Sequence, residues 1–195
     1  MSTASEPDES SLPTAQDSFF EHLNASRSWT SAWEPEHDWY HYVTGYKYAA
    51  DVLVAHLETA GRLAYKLGPP IVFLYRHHLE LALKQFARQC GDLLGRDVGP
   101  LIDHRLNHLW RFCLSLLAEI SPGGIEGAEM QETTRLLEEF DSVDLASQAF
   151  RYPEEKDGSP SPLGLKEIDL GRVCKVADKI SLLLDCIAAD LETRE

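Results

Sequence analysis

Apolar residues recur every three or four positions through most of the chain from residue 39 onward, which is the pattern of amphipathic helices. The first helix is expected over residues 39–67, and the Gly-Pro-Pro sequence at 68–70 is expected to end it. A second helix is expected from about Pro70 to Cys90. This helix is apolar on more than one side, which predicts that it packs between several neighbours.

Three further helices are expected after a glycine-containing loop at 91–100. Asp103 is predicted to cap the third helix, which continues to residue 120, because an aspartate side chain can accept the free N–H groups of a first turn. The fourth and fifth helices are expected over residues 125–143 and 169–191.

Helices joined by short connections pack antiparallel, so the pattern predicts an all-α, up-down bundle of four to five helices. A polar segment containing Asp157-Gly158 is expected to form a short hairpin or loop insertion before the last helix. Residues 1–15 are rich in Ser, Glu, Asp and Pro, which predicts a disordered acidic tail. Residues 16–195 are expected to form a single domain, with a short helix at 18–23 near its start.

The formal net charge of −14 argues against general affinity for nucleic acid, because binding to phosphates normally requires clustered Lys and Arg. Residues 1–38 hold eight acids and one base, so about half of the excess lies in this segment. The remaining 157 residues are only mildly acidic, so their charge is compatible with a local basic cleft.

No apolar run approaches the roughly 20 residues of a membrane span, and the N-terminus has no signal sequence, so a cytoplasmic protein is expected. The four cysteines form no CxxC pair and lie in helical apolar patterns, which predicts reduced thiols and no zinc knuckle. They are Cys90, Cys113, Cys174 and Cys186.

The second helix carries Arg76, Glu80 and Lys84 at a spacing of four residues, on one face of an otherwise apolar segment. One interpretation is a salt-bridged stripe. The other is a polar site in which Glu80 positions the guanidinium of Arg76 beside an anion. His77 and His78 project about 100° apart, so at most one of them faces any given site.

Two histidine pairs, His37 with His41 and His104 with His108, have the spacing that can place two imidazoles on one metal ion. The chain has no HExxH motif, and Asp103 is the only carboxylate beside the second pair. We therefore predict a site without a metal or a cofactor. A polar-core or interface role is the alternative for His104.

Arg151 lies between two aromatic residues in the sequence Phe150-Arg151-Tyr152-Pro153. This segment is either an edge strand packed on the bundle or a support that holds Arg151 over its mouth, where a guanidinium suits phosphate or carboxylate. The chain contains no glycine-rich phosphate loop, GxSxG motif or kinase signature, which disfavours the enzyme classes that those motifs mark.

Three motifs together resemble the HEPN superfamily, in particular its uncharacterised bacterial members. They are Arg76-x-x-x-Glu80-Leu-x-Leu-Lys84, His104-x-Leu106-x-x-Leu109-Trp110, and Asp144-x-x-Ser147-x-x-Phe150-Arg151-Tyr152-Pro153 followed by Asp157-Gly158. The resemblance spans roughly residues 39–190. It implies a bundle of four to five helices that is usually dimeric.

Many HEPN proteins are metal-independent ribonucleases of toxin–antitoxin and phage-defence systems, with an Arg-x4-6-His motif at the dimer interface, whereas others are binding or scaffold modules. Here seven residues separate Arg96 from His104, and two separate Arg105 from His108. No arginine has the family spacing to a histidine, so the resemblance leaves open whether the chain is an enzyme.

Two hypotheses follow from the resemblance. The favoured one is a helical module that dimerises or binds a protein partner, with a defence or toxin–antitoxin system as its setting. The alternative is a divergent endoribonuclease that acts on RNA through Arg76, His104 and Arg151. In that reaction a histidine deprotonates the ribose 2′-hydroxyl and the arginines stabilise charge on the phosphate. The expected supporting polar network comprises His77, His78, Glu80, Lys84, His108 and Tyr152.

Overall fold

The computed structural model describes residues 39–61, 64–122, 127–145, 147–154, 158–159 and 167–193. These residues form five α-helices and no β-strand, which confirms the expected all-α helical bundle. The helices are α1 (Trp39–Ala60), α2 (Ala64–Leu93), α3 (Leu106–Ile120), α4 (Ala128–Val143) and α5 (Leu170–Glu192). The expectations for the acidic tail, the helix at 18–23, His37 and the turn at Asp157 lie outside the described residues.

The central element is α2, which packs against α1, α3 and α5, while α4 packs on α3. One part of the core surrounds Trp110 of α3 and Phe86 of α2, and a smaller part surrounds Ile71 and Tyr75 of α2. Because α2 contributes to both, its apolar residues point in several directions, as its sequence predicted. None of the helices in the described ranges combines the length and hydrophobicity needed to cross a bilayer.

The boundary between the first two helices differs from the prediction. The helix α1 ends at Ala60 and is followed by Gly61 at φ +53°, a backbone conformation that commonly ends helices. Pro69 and Pro70 lie inside α2. They remove two hydrogen bonds near its start, to the carbonyls of Tyr65 and Lys66, and both of these residues are exposed and reach water. The Gly-Pro-Pro sequence therefore does not end a helix here.

The start of α3 is also different from the prediction. Asp103 is not the cap of α3, because its side chain accepts from the backbone N–H of Arg105 (2.9 Å), one position before the helix. The cap is supplied by Asp141 of α4. Its carboxylate accepts from the N–H groups of Leu106 (3.1 Å) and Asn107 (2.8 Å), so α4 satisfies the free donors of α3.

The remaining boundaries agree more closely with the sequence pattern. The helix α5 begins after Asp169, whose side chain accepts from the N–H of Arg172 at 3.0 Å, as expected for a cap. The helix α4 begins at Ala128, three residues after the expected start, and α2 continues three residues past Cys90 to Leu93. All four cysteines are free thiols.

Candidate functional site

The guanidinium of Arg76 is completely buried in the middle of α2, with 0% of the residue exposed. Its Nη2 donates to the backbone oxygen of His104 (2.9 Å) and its Nε donates to that of Asp144 (3.3 Å). Carboxylate oxygens of Glu80, Asp144 and Asp141 lie 3.4, 3.5 and 3.8 Å from its nitrogens. We call Arg76, Glu80, Asp141 and Asp144 the Arg76 cluster.

Both aspartates of the Arg76 cluster also hold backbone in place. Asp141 caps α3, and burial raises the pKa of this carboxyl although N–H groups of α3 and the charge of Arg76 oppose the shift. Asp144 accepts from the N–H groups of Gln148 (2.7 Å) and Ala149 (3.1 Å), which forms the turn after α4. A single buried cation therefore joins α2, the start of α3 and the end of α4.

Glu80 extends the cluster toward the surface. Its Oε1 accepts from Lys84 Nζ (2.8 Å) and from His104 Nδ1 (2.9 Å). Burial by itself would raise the pKa of Glu80, but the hydrogen bonds from Lys84 and His104 outweigh burial and lower it. Glu80 is therefore ionised at neutral pH and binds three cationic or donor groups, Arg76 included.

His104 is the member of this network that reaches solvent, with 63% of its side chain exposed. When Nδ1 carries the proton that Glu80 accepts, Nε2 is left with a free lone pair. A histidine oriented in this way can accept a proton from a bound group. Arg76, Glu80, Lys84 and His104 therefore lie in one network, which presents the imidazole of His104 to solvent.

His108 belongs to a separate surface pair. Its Nδ1 lies 3.1 Å from Asp103 Oδ2, and the same carboxylate binds Arg105 at 2.8 Å. The hydrogen bond from Arg105 is the main reason that the pKa of Asp103 is held below its ordinary value. His108 therefore does not contact the Arg76 cluster.

His77 and His78 face different neighbours, as their spacing predicted. The ring of His77 meets the ring of Tyr46 edge-on at 4.4 Å. His78 is buried, with Nδ1 2.9 Å from the backbone oxygen of Val43 and Nε2 2.6 Å from the hydroxyl of Ser181. Burial is the leading cause that lowers the pKa of both histidines, so both are neutral packing groups at neutral pH.

Arg151 is exposed, and its contacts within the described part of the chain are with aromatic side chains and a backbone oxygen. Its guanidinium lies 5.3 Å from the ring centre of Tyr152 and 5.7 Å from that of Phe73, and Nη1 donates to the backbone oxygen of Ser147 (3.3 Å). The ring of Phe73 in turn stacks on His77. Among the described residues, no hydrogen bond or ion pair joins Arg151 to Arg76 or His104.

Sequence reasoning did not identify Asp141. The structure shows that Asp141 continues a buried stripe of α4 that contains Met130, Thr133 and Leu137, and this position is the sequence signal for it. A charged residue at an apolar position of a helix indicates a buried partner, but the pattern does not indicate which one.

Sequence reasoning also missed a second polar group, between α1 and α5. Lys47 Nζ lies 2.8 Å from Asp51 and 2.6 Å from Asp178, and the hydroxyl of Tyr75 donates to Asp51 at 2.6 Å. Asp51, Cys174 and Asp178 are close enough together to hold a metal ion. The ammonium of Lys47 already pairs with both carboxylates, so we interpret the group as an ion-pair network that joins α1 to α5.

Comparison of the chain with protein-family models, with curated proteins and with solved structures gives no match. The resemblance to the HEPN superfamily therefore rests on the sequence motifs. The contacts and exposure of the described side chains carry the functional interpretation.

Replacing Arg76 by Ala removes the cation from three buried carboxylates, so we expect the free energy of unfolding to fall by about 3–5 kcal/mol. Urea denaturation measures this change. The matched control is Arg111→Ala, which breaks an exposed pair with Glu138 and should cost about 0–1 kcal/mol. Equal losses in the two variants would contradict a central structural role for Arg76.

Proposed function

We propose that the chain is a HEPN-like helical module that dimerises through the outer face of α1. The main support is the chemistry of this face. Among the described side chains of α1, none of the exposed ones belongs to Asp, Glu, Lys or Arg, although the chain has 50 such residues. The exposed residues are Tyr40, His41, Tyr42, Gly45, Tyr48, Ala49, Val52, Ala55, His56 and Thr59.

The charged side chains of α1 that the structure describes point inward instead. Lys47 and Asp51 are only partly exposed and form their ion pairs toward Asp178 of α5. A helix at the surface of a monomer normally places its charges outward. In α1 the apolar Tyr48 and Val52 are the outward residues, with 72% and 48% of their surface exposed. Such a face is typical of a contact surface.

The shape and charge of the face suit a second copy of the same chain. Small residues, Gly45 and Ala49, adjoin the large Tyr48, so an antiparallel copy can place its tyrosine over the small residues. Two copies with a net charge of −14 each repel one another, and a face whose described exposed side chains include no carboxylate is where they approach at least cost. A basic partner would be attracted to the acidic surfaces instead.

The burial of Arg76 supports a module rather than a ribonuclease. Its donors are engaged by oxygens of the protein itself, and none of the residue is exposed. To contact a substrate phosphate, Arg76 would have to leave the three buried carboxylates of its cluster without a compensating charge. A place in a toxin–antitoxin or phage-defence system is part of this proposal through the sequence resemblance.

Val52→Glu introduces two negative charges into the centre of the dimer and should convert it to a monomer. Sedimentation velocity should give twice the chain mass of 21.9 kDa for the wild type and the single mass for the variant. The control is Leu182→Glu, at an exposed leucine of α5 with 63% exposure, which should leave the dimer intact. A monomeric wild type, or a dimeric Val52→Glu variant, contradicts the proposal.

A metal-independent endoribonuclease is the second candidate, and the exposed imidazole of His104 supports it. Glu80 orients this ring through Nδ1, which leaves Nε2 able to accept the proton of a ribose 2′-hydroxyl. Arg151, also exposed, is an always-charged group that suits a phosphate.

For this second candidate, the purified protein should cleave single-stranded RNA in the presence of EDTA. His104→Ala should lower the rate at least about 100-fold, because general acid–base catalysis typically contributes that much. His56→Ala removes an exposed histidine of α1 and serves as the control. Absence of cleavage, or equal rates in both variants, would reject the candidate.

A further inference from the structure

A cavity of about 360 Å³ lies outside the site described above, between the start of α1, the last turns of α2 and the loop that follows α2. Three of its polar side chains, Gln85, Arg88 and Gln89, come from one face of α2. Trp39 and Tyr40 of α1 form the opposite wall. This volume is at the lower end of small-molecule sites, which measure about 300–1,000 Å³.

Arg88 is the unusual residue of this cavity. Its Nε is buried and has no hydrogen-bond partner in the described part of the chain, and its guanidinium stacks 4.9 Å from the ring centre of Trp39. Five other arginines each pair with a carboxylate: Arg76, Arg96, Arg105, Arg111 and Arg135. In the described part of the chain no carboxylate compensates the charge of the Arg88 guanidinium, so an anion bound from outside the chain would be stabilising.

Another wall of the cavity is built by a close approach of backbone. The N–H of Arg96 donates to the oxygen of Gly91 (3.0 Å), and a Cβ at Gly91 would lie 2.6 Å from a methyl group of Val98. Only glycine at this position lets the loop lie directly on α2. Val98 thereby closes one side of the cavity with an apolar surface.

The other charges of the loop are already engaged. Arg96 pairs with Glu119 at 2.8 Å, and Asp97 accepts from the N–H of Gly99 at 2.8 Å. Asp92 faces the same cavity and disfavours ligands with several negative charges. Arg88 is therefore the cation of the cavity that has no carboxylate partner among the described residues.

We propose that this cavity binds a small organic anion that has one negatively charged group and a flat apolar body. The planar guanidinium of Arg88 offers a fork of N–H donors that matches the two oxygens of a carboxylate or phosphate. Trp39, Tyr40 and Val98 contact the flat body, and the amides of Gln85 and Gln89 supply further hydrogen bonds. The proposal does not rest on dimerisation, because the cavity shares only Tyr40 with the outer face of α1 and the dimer contact is centred on Val52.

Titration of the full-length protein with benzoate, followed by NMR through the indole N–H of Trp39, tests the proposal. Trp39→Phe assigns that signal among the four tryptophans. Benzoate should shift it to saturation, and benzamide, a neutral molecule of the same shape, should bind at least about tenfold more weakly because it lacks the charge. Phenyl phosphate tests the other anionic group.

Variants of Arg88 complete the test. Arg88→Gln should weaken benzoate binding at least about tenfold, and Arg88→Lys should be intermediate because it keeps the charge without the fork. Arg111→Gln, at an exposed arginine of α3, should leave binding unchanged. Equal binding of benzoate and benzamide, unchanged affinity in Arg88→Gln, or no saturable shift with benzoate and phenyl phosphate would each overturn the proposal. If Arg88→Gln fails to fold, Arg88→Lys and the benzamide comparison still decide it.

Discussion

Burial of the guanidinium of Arg76 is the constraint on which the arrangement of the helices depends. A buried charge without partners is strongly unfavourable, and here the partners come from α2, from His104 in the loop before α3 and from the end of α4. Each partner must be in position at the same time. The cation therefore fixes how three separate parts of the chain meet, and the surrounding apolar core supplies the driving force for bringing them together.

The same network reaches solvent at His104. Its interior members, Arg76, Asp141 and Asp144, are engaged in hydrogen bonds that hold the backbone, which suits a rigid scaffold. This division of roles separates the two functional candidates. In a binding module the buried part of the network only has to hold the helices in place. A ribonuclease also needs the exposed imidazole of His104 to act on a substrate. The outer face of α1 and the cavity at Arg88 lie on other surfaces. Neither depends on whether His104 has a catalytic role.

Much of the fold could be predicted from the sequence, because helical periodicity is a local property. The five helices and the ion pairs of Glu80 with Arg76 and Lys84 follow from spacings of three and four residues. The end of α1 was misplaced because Gly-Pro-Pro is a strong local stop signal. Its missing hydrogen bonds fall at the exposed start of α2, where water replaces them.

The cap of α3 could not be predicted in the same way. Asp103 was the best local cap, but Asp141 takes that role from 34 or 35 residues away. A short window of the sequence does not contain both Asp141 and the start of α3. Which aspartate caps α3 is decided by how α4 packs on α3. Arg88 has no carboxylate partner among the described residues, and this too is non-local, since it depends on which carboxylates the fold leaves out of reach.

Amide hydrogen exchange in an Arg76→Met variant tests the central role of Arg76 most directly, since methionine keeps much of the volume and removes the charge. The structure predicts that the amides of Leu106 and Asn107, capped by Asp141, lose protection together with those of Gln148 and Ala149, held by Asp144. Amides in the middle of α5, such as that of Ile180, should stay protected. Unchanged protection at both aspartate-bound sites would contradict the account.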